Sequence, residues 1–111
     1  MVKVFERGDI IYLDFNPQAG HEQMGRRPAI VVSKRAFNAF TRMAIVCPIT
    51  NTDRNIPIQV KLDERTKTTG CIMCEQVKSL DIIKRNAEFI EKAPQDIIDE
   101  VTDILYSFTE R

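Results

Sequence analysis

The chain has 111 residues, 43% of them hydrophobic, with four Gly, five Pro, and 16 Lys and Arg against 16 Asp and Glu, a formal net charge of zero. That length suits one small domain with a single core and is too short for two, and the composition excludes a disordered or fibrous chain. Zero charge speaks against a uniformly basic nucleic-acid binder, because neutralising phosphates needs an excess of Lys and Arg somewhere, so the charge must be resolved along the chain.

Asp9-Ile10-Ile11-Tyr12-Leu13-Asp14-Phe15 is a β-branched and aromatic run that reads as a first strand, stopped by the turn chemistry of Asn16-Pro17-Gln18-Ala19-Gly20. A polar connection follows to Arg27, and Pro28-Ala29-Ile30-Val31-Val32-Ser33 reads as a second, buried strand. Connections this long in a small domain are more often functional than accidental. Lys34 to Arg42 reads as a short helical turn or an irregular excursion. Met43-Ala44-Ile45-Val46-Cys47-Pro48-Ile49 is a third strand, whose Pro48 suggests an edge or a bulge. Ile56, Ile58, Val60 and Leu62 alternate with Pro57, Gln59 and Lys61, which predicts a half-buried fourth strand. Cys71-Ile72-Met73-Cys74-Glu75-Gln76-Val77 reads as a fifth strand and Ala87-Glu88-Phe89-Ile90 as a short sixth.

The period changes at Pro94. Ile97, Ile98, Val101, Ile104, Leu105 and Phe108 form one stripe of an amphipathic helix, with Pro94, Gln95 and Asp96 suited to its first turn. Short antiparallel strands followed by one terminal helix predict an α+β, mostly β domain: a small curled barrel over about residues 6–91 and a helix over about 95–109. Residues 1–7 lack the apolar core of a secretion signal, and no stretch approaches the roughly 18 apolar residues of a membrane span. Cys47, Cys71 and Cys74 are odd in number and lie in apolar runs, which speaks against a secreted disulfide framework. The expectation is a cytoplasmic protein without membrane contact.

The polar connection carries the densest chemistry: Gly20-His21-Glu22-Gln23-Met24-Gly25-Arg26-Arg27-Pro28. It holds the only histidine, a carboxylate, an amide and two guanidinium groups between two glycines. Arg27 precedes a proline and a buried strand, so its backbone should be extended and anchored, and a rigidly held guanidinium suits phosphate recognition. The competing reading is a solvated charged loop. His-Glu-x-x-His zinc chemistry fails because Gly25 stands where a second histidine is needed. Cys71-Ile72-Met73-Cys74 has metal or redox spacing, but in a strand its cysteines face opposite sides, so buried structural cysteines are the better reading and no metal or cofactor is expected. No serine stands in a nucleophile elbow, and there is no phosphate-binding Gly-x-x-x-x-Gly-Lys loop. Arg, Glu, Thr and His remain, groups suited to cleaving RNA, which brings its own 2′-hydroxyl nucleophile.

Arg7-Gly8-Asp9-Ile10, Gly20-His21-Glu22-Gln23, Arg27-Pro28-Ala29-Ile30-Val31-Val32-Ser33, Val46-Cys47-Pro48-Ile49-Thr50 and Glu75-Gln76-Val77-Lys78-Ser79-Leu80-Asp81 occur in that order. In these stretches the chain resembles the MazF/PemK family of toxin endoribonucleases from bacterial toxin–antitoxin modules. The resemblance implies an SH3-like barrel with a C-terminal helix, a homodimer, and metal-free, sequence-selective cleavage of single-stranded RNA. It implies attack by the 2′-hydroxyl, leaving a 2′,3′-cyclic phosphate and a 5′-hydroxyl, and neutralisation by a MazE-like antitoxin. The family's catalytic arginine falls on Arg27, its threonine on Thr50 and its loop glutamate on Glu22. Glu22 would either polarise the 2′-hydroxyl or orient Arg27 through an ion pair. His21 takes a substrate-contact or auxiliary role. Gln23 and Gln76 are expected to read base edges, as amides can, with a plain solvent-facing strand residue the alternative for Gln76. Arg26 and Lys78 are candidate RNA-backbone contacts, and Arg54 lies in the loop after Thr50. Two other readings are a non-catalytic gyrase poison of the CcdB type, whose poisoning residues include a C-terminal tryptophan absent here, and a silent RNA-binding barrel.

Resolved along the chain, residues 1–85 carry 14 Lys and Arg against 9 Asp and Glu, a balance of +5, and residues 86–111 carry 2 against 7, a balance of −5. Neutrality is therefore a basic barrel cancelled by an acidic helix, and the helix is expected to lie away from the RNA-binding face.

Overall fold

A computed structural model describes residues 4–15 and 25–111. The elements run β1 (Asp9–Asp14), β2 (Arg26–Val31), α1 (Arg35–Thr41), β3 (Met43–Thr50), β4 (Gln59–Lys61), β5 (Cys71–Met73), a 3-10 turn (Cys74–Gln76), β6 (Lys78–Asp81), β7 (Glu88–Lys92) and α2 (Gln95–Thr109). The strands form one antiparallel sheet in the order β4-β5-β3-β2-β1-β7, with β6 also on β3.

β3 organises the sheet. One edge pairs with β2, from Ala29 opposite Pro48 to Val31 opposite Val46. The other edge serves two partners, β6 along Met43–Val46 and β5 at Ile49 and Thr50. The proline of β3 was expected to mark an edge or bulge; β3 is central instead. Pro48, with no N–H to donate, sits where the second partner changes from β6 to β5, a position at which a ladder bond is already interrupted.

The alternation of β1 and β2 divides the core between the two faces of the sheet. On one face Ile10, Ile30, Cys47, Ile49, Ile72 and Cys74 pack with Ile97, Ile98 and Val101 of α2. On the other, Ile11, Leu13, Phe15, Ala29, Val31, Ala44, Val46 and Leu80 pack with Phe5 and Ile82. The helical stripe holds as far as Ile104 and Leu105, which are partly buried, while Phe108 at its end is exposed. Arg65 ties the helix to the barrel, holding Asp63 and Asp96 at 2.8 Å each.

One open reading is settled and two elements differ from the sequence reading. The excursion after β2 is a true helix, α1, fixed by buried Asn38, whose amide donates to the Phe5 carbonyl (2.9 Å) and the Ser33 carbonyl (3.3 Å) and accepts from the Ser33 hydroxyl. The fourth strand shrinks to three residues: Asn55 has φ +51° and the Gln59 N–H turns back to the Ile56 carbonyl, so the alternation before Gln59 belongs to a turn. The fifth strand stops at Met73, where a 3-10 turn redirects the chain into β6, giving seven strands among the described residues. Among the described residues no ladder joins β4 to β7, so the curled sheet is not closed by backbone pairing. Glu91 of β7 closes it with its side chain, accepting from the N–H of Lys67 (3.0 Å), the N–H of Thr68 (2.7 Å) and the Thr68 hydroxyl (2.8 Å).

Candidate active site

Arg27 and Thr50 are 23 positions apart in sequence, and the pairing of β2 with β3 places both at one end of the sheet. β2 and β3 pair so that Ala29 faces Pro48 and Ile30 faces Cys47. The ladder ends at Ala29 and Pro48, and Arg27 and Thr50 each stand two residues beyond that last pair, at the same end of the two strands. Both also share side-chain parity with Ala29, Val31, Ala44 and Val46, so they lie on the face opposite α2. Thr50 ends β3 and is paired with Cys71 on its other side. Its hydroxyl oxygen accepts from the Thr52 N–H at 3.2 Å, which leaves the O–H as a donor.

β1 and the polar connection complete this end of the sheet. Leu13 pairs with Arg27 and Asp14 with Arg26, and the Phe15 N–H donates to the Gly25 carbonyl at 2.9 Å, pinching the base of the connection. Gly25 takes φ +76°, as a chain entering a strand from this pinch requires. The connection thus leaves and returns beside Arg27. Glu22, His21 and Gln23 lie outside the described residues. Lys78, opposite Val46, joins the same face with its ammonium 5.9 Å from the centre of the Phe15 ring.

Arg26 points the other way. Its guanidinium meets Asp14 at 3.2 Å, the Asn86 carbonyl at 2.8 Å and Glu88 at 2.6 Å, and lies 5.0 Å from the centre of the Tyr12 ring. Hydrogen bonds from Asn86 and Arg26 hold the Asp14 carboxyl below its usual pKa. Two neighbouring arginines, alike in sequence, are therefore separated by strand alternation, and Arg26, expected as an RNA contact, is bound to two carboxylates on the α2 side of the sheet.

Gln76 belongs to the 3-10 turn rather than to a strand, so neither a strand position nor a simple solvent-facing role describes it. Its Oε1 and the Nε2 of Gln59 are buried without a hydrogen-bond partner among the described residues. Gln59 and Lys61 share the Thr50 face through their pairing with Met73 and Cys71. Arg54 is exposed in the β3–β4 connection, its N–H on Gln59 Oε1 at 3.4 Å, and Asp53 of that connection meets Lys61 at 3.3 Å. Gly70, Thr69 and Asn51, which sequence reading passed over, border Thr50 directly. Thr69 donates its hydroxyl to Asn51 Oδ1 at 3.1 Å, and Gly70 lies against the Thr50 carbonyl. A lone Gly between a polar connection and a strand was the only available signal.

The cysteines are free and buried, with Cys71 on the Thr50 face and Cys74 beside Cys47 in the α2-side cluster. The Cys74 thiol and then burial push the Cys47 thiol up, and burial pushes Cys71 up, so neither is poised as a thiolate. Among the described residues no three His, Cys, Asp or Glu side chains converge as a metal site. None of the helices described is long and apolar enough to cross a membrane.

The sequence profile of the PemK-like, MazF-like toxins of type II toxin–antitoxin systems matches residues 6–109. The chain belongs to that family. It is 39% identical to the endoribonuclease PemK of Escherichia coli over 100 residues, covering 86% of this chain and 75% of that protein. It is 40% identical to the endoribonuclease toxin ChpB of Escherichia coli K12 over 101 residues, covering 86% of each chain. Its fold superposes on the crystal structure of MazF from Deinococcus radiodurans with TM-score 0.91 at 38% identity, over 96% of this chain and 97% of that one. A crystal structure of the MazE–MazF complex from the same organism matches with TM-score 0.85, also at 38% identity, over 96% of each chain. Membership of the PemK/MazF family covers the barrel and the acidic helix together, so α2 is part of the shared fold.

Proposed function

We propose that this PemK/MazF-family endoribonuclease is a growth-inhibiting toxin that cleaves single-stranded RNA at preferred sequences without a metal, leaving a 2′,3′-cyclic phosphate and a 5′-hydroxyl. The observation that carries this reading is the placement of Arg27 and Thr50 on one sheet face, each two residues beyond the last β2–β3 pair and beside the two ends of the polar connection. In the reaction the 2′-oxygen attacks the adjacent phosphorus, its proton leaves to a base, and the P–O5′ bond breaks as the departing 5′-oxygen takes up a proton. Negative charge builds on the non-bridging oxygens and on the leaving oxygen. Arg27 meets that charge with a permanently protonated fork, and the Thr50 O–H donates to a phosphate oxygen. Glu22 serves the same step, either by polarising the 2′-hydroxyl or by orienting Arg27. His21, Gln23, Gln76, Lys78 and Arg54 contact the flanking nucleotides, with Lys78 on the catalytic face and Arg54 on the adjoining loop.

The basic barrel and the acidic helix fit this reading. α2 packs on the face opposite Arg27 and Thr50, so its carboxylates stay away from the RNA phosphates. The partner is a cognate MazE-like antitoxin, whose acidic segment competes with RNA for the basic face; the protein acts as a homodimer in the cytoplasm. The test is cleavage of an unstructured RNA by wild-type and Arg27→Ala protein, with the product ends identified. Cyclic-phosphate ends that disappear in the variant support the proposal. Intact RNA, or gyrase–DNA adducts formed by both proteins, would replace it with a binding toxin.

A further inference from the structure

The chain entering β5 is wedged against the last residue of β3. Gly70 has φ +118°, and a Cβ there would stand 2.4 Å from the Thr50 carbonyl oxygen, 2.9 Å from its carbonyl carbon and 3.1 Å from Asn51 Oδ1. The first two distances are shorter than side-chain carbons tolerate, and both are to backbone atoms, which cannot rotate aside. Nor is Gly70 loose: its carbonyl accepts the Leu62 N–H at 2.9 Å, and the next residue, Cys71, pairs with Thr50. Beside it the Thr69 hydroxyl reaches Asn51 Oδ1 at 3.1 Å. The segment from Thr69 to Cys71 therefore clasps Thr50 and Asn51 at the point where β3 ends and the connection begins.

We infer that Gly70, together with the Thr69–Asn51 hydrogen bond, positions the Thr50 hydroxyl for the reacting phosphate. The inference rests on the proposed role of Thr50 as a phosphate donor. On one side β2 holds β3 as far as Pro48, two residues before Thr50. From the other side only a residue without a Cβ lets β5 approach closely enough to hold the Thr50–Asn51 peptide in its present plane. A methyl group at position 70 must push that peptide or β5 away, and the Thr50 hydroxyl moves with it. Displacing a catalytic group by about 1 Å costs on the order of 100-fold in rate when the geometry of the reacting atoms depends on it. Gly70 and Thr69 are thus positioning residues that act through Thr50.

The test is steady-state RNA cleavage by Gly70→Ala, Thr69→Val and Thr50→Ala, and by each of the first two combined with Thr50→Ala, with thermal unfolding recorded for all. Gly70→Ala is expected to lower kcat by about 10- to 100-fold with KM nearly unchanged, and Thr69→Val by a smaller factor in the same sense. Neither is expected to lower the residual rate of Thr50→Ala, because the group they position is already gone. If Gly70→Ala does not fold, the exposed Thr69→Val carries the same criterion. Wild-type kcat in the folded variants, or an equal fractional loss with and without Thr50, would overturn the inference. A Thr50→Ala protein with wild-type kcat would refute the role of Thr50 itself, and the clasp as a catalytic device with it.

Discussion

Arg27→Ala and Arg26→Ala distinguish two adjacent guanidinium groups that strand alternation sends to opposite faces. Arg27 and Thr50 lie on one face at the same end of β2 and β3, each two residues past the last pair of that ladder, so a guanidinium at 27 and a hydroxyl at 50 are placed to meet the oxygens of one phosphate. Removing a donor aimed at charge that forms only in the transition state costs about 2.7–4 kcal/mol, a fall in kcat of roughly 100- to 1000-fold. Arg27→Lys keeps the charge but loses the planar fork and is expected to fall between Arg27→Ala and wild type. Arg26→Ala removes contacts to Asp14, Asn86, Glu88 and Tyr12 on the other face, so it should lower the thermal midpoint and leave kcat near wild type. A quenched fluorescent RNA followed under steady-state conditions, with unfolding measured in parallel, reads both outcomes. Arg27→Ala retaining more than about a tenth of the wild-type kcat, or Arg26→Ala losing as much as Arg27→Ala, would refute the face assignment.

Other predictions concern the scaffold. Asn38→Ala removes three buried hydrogen bonds and strands the Phe5 and Ser33 carbonyls, a cost of about 2–4 kcal/mol; denaturant unfolding showing less than about 1 kcal/mol would contradict this. At Glu91, burial pushes the carboxyl pKa up, but hydrogen bonds from Lys67 and Thr68 outweigh it and the pKa is lowered on folding. Its contribution is therefore present above the unfolded carboxylate pKa of about 4.3 and is lost as pH falls through the lower folded value. Glu91→Gln should be less stable than wild type at neutral pH, and the gap should close in acid; a gap that persists unchanged at pH 2 to 3 by thermal unfolding would rule this out.

The parts of the fold legible in the sequence were those governed by local periodicity. The stripe from Ile97 to Leu105 fixed α2 from Gln95 to Thr109, and the β-branched runs at 9–15 and 28–33 marked β1 and β2. What failed depended on partners distant in sequence. Cys71–Val77 is uniformly strand-like, yet a 3-10 turn interrupts it because Met73 ends the pairing with β4. Phe108 continues the helical stripe but extends past the surface the barrel covers. Pro48 looked like an edge signal because sequence does not reveal that β3 changes partners there. The site shows the same division. Arg27 and Thr50 stand out through resemblance, but their sharing one face and one end of the sheet comes from strand pairing and alternation, as does the separation of Arg26. Gly70 has no local pattern at all; its importance comes from a backbone 20 residues away.

The most direct measurement is incubation of a defined unstructured RNA with the wild-type protein in excess EDTA, followed by chemical analysis of the new ends. The account predicts cleavage undiminished by the chelator, with 2′,3′-cyclic phosphate on one fragment and 5′-hydroxyl on the other. RNA that stays intact, or that is cut only after magnesium is restored to leave 5′-phosphates, would contradict it.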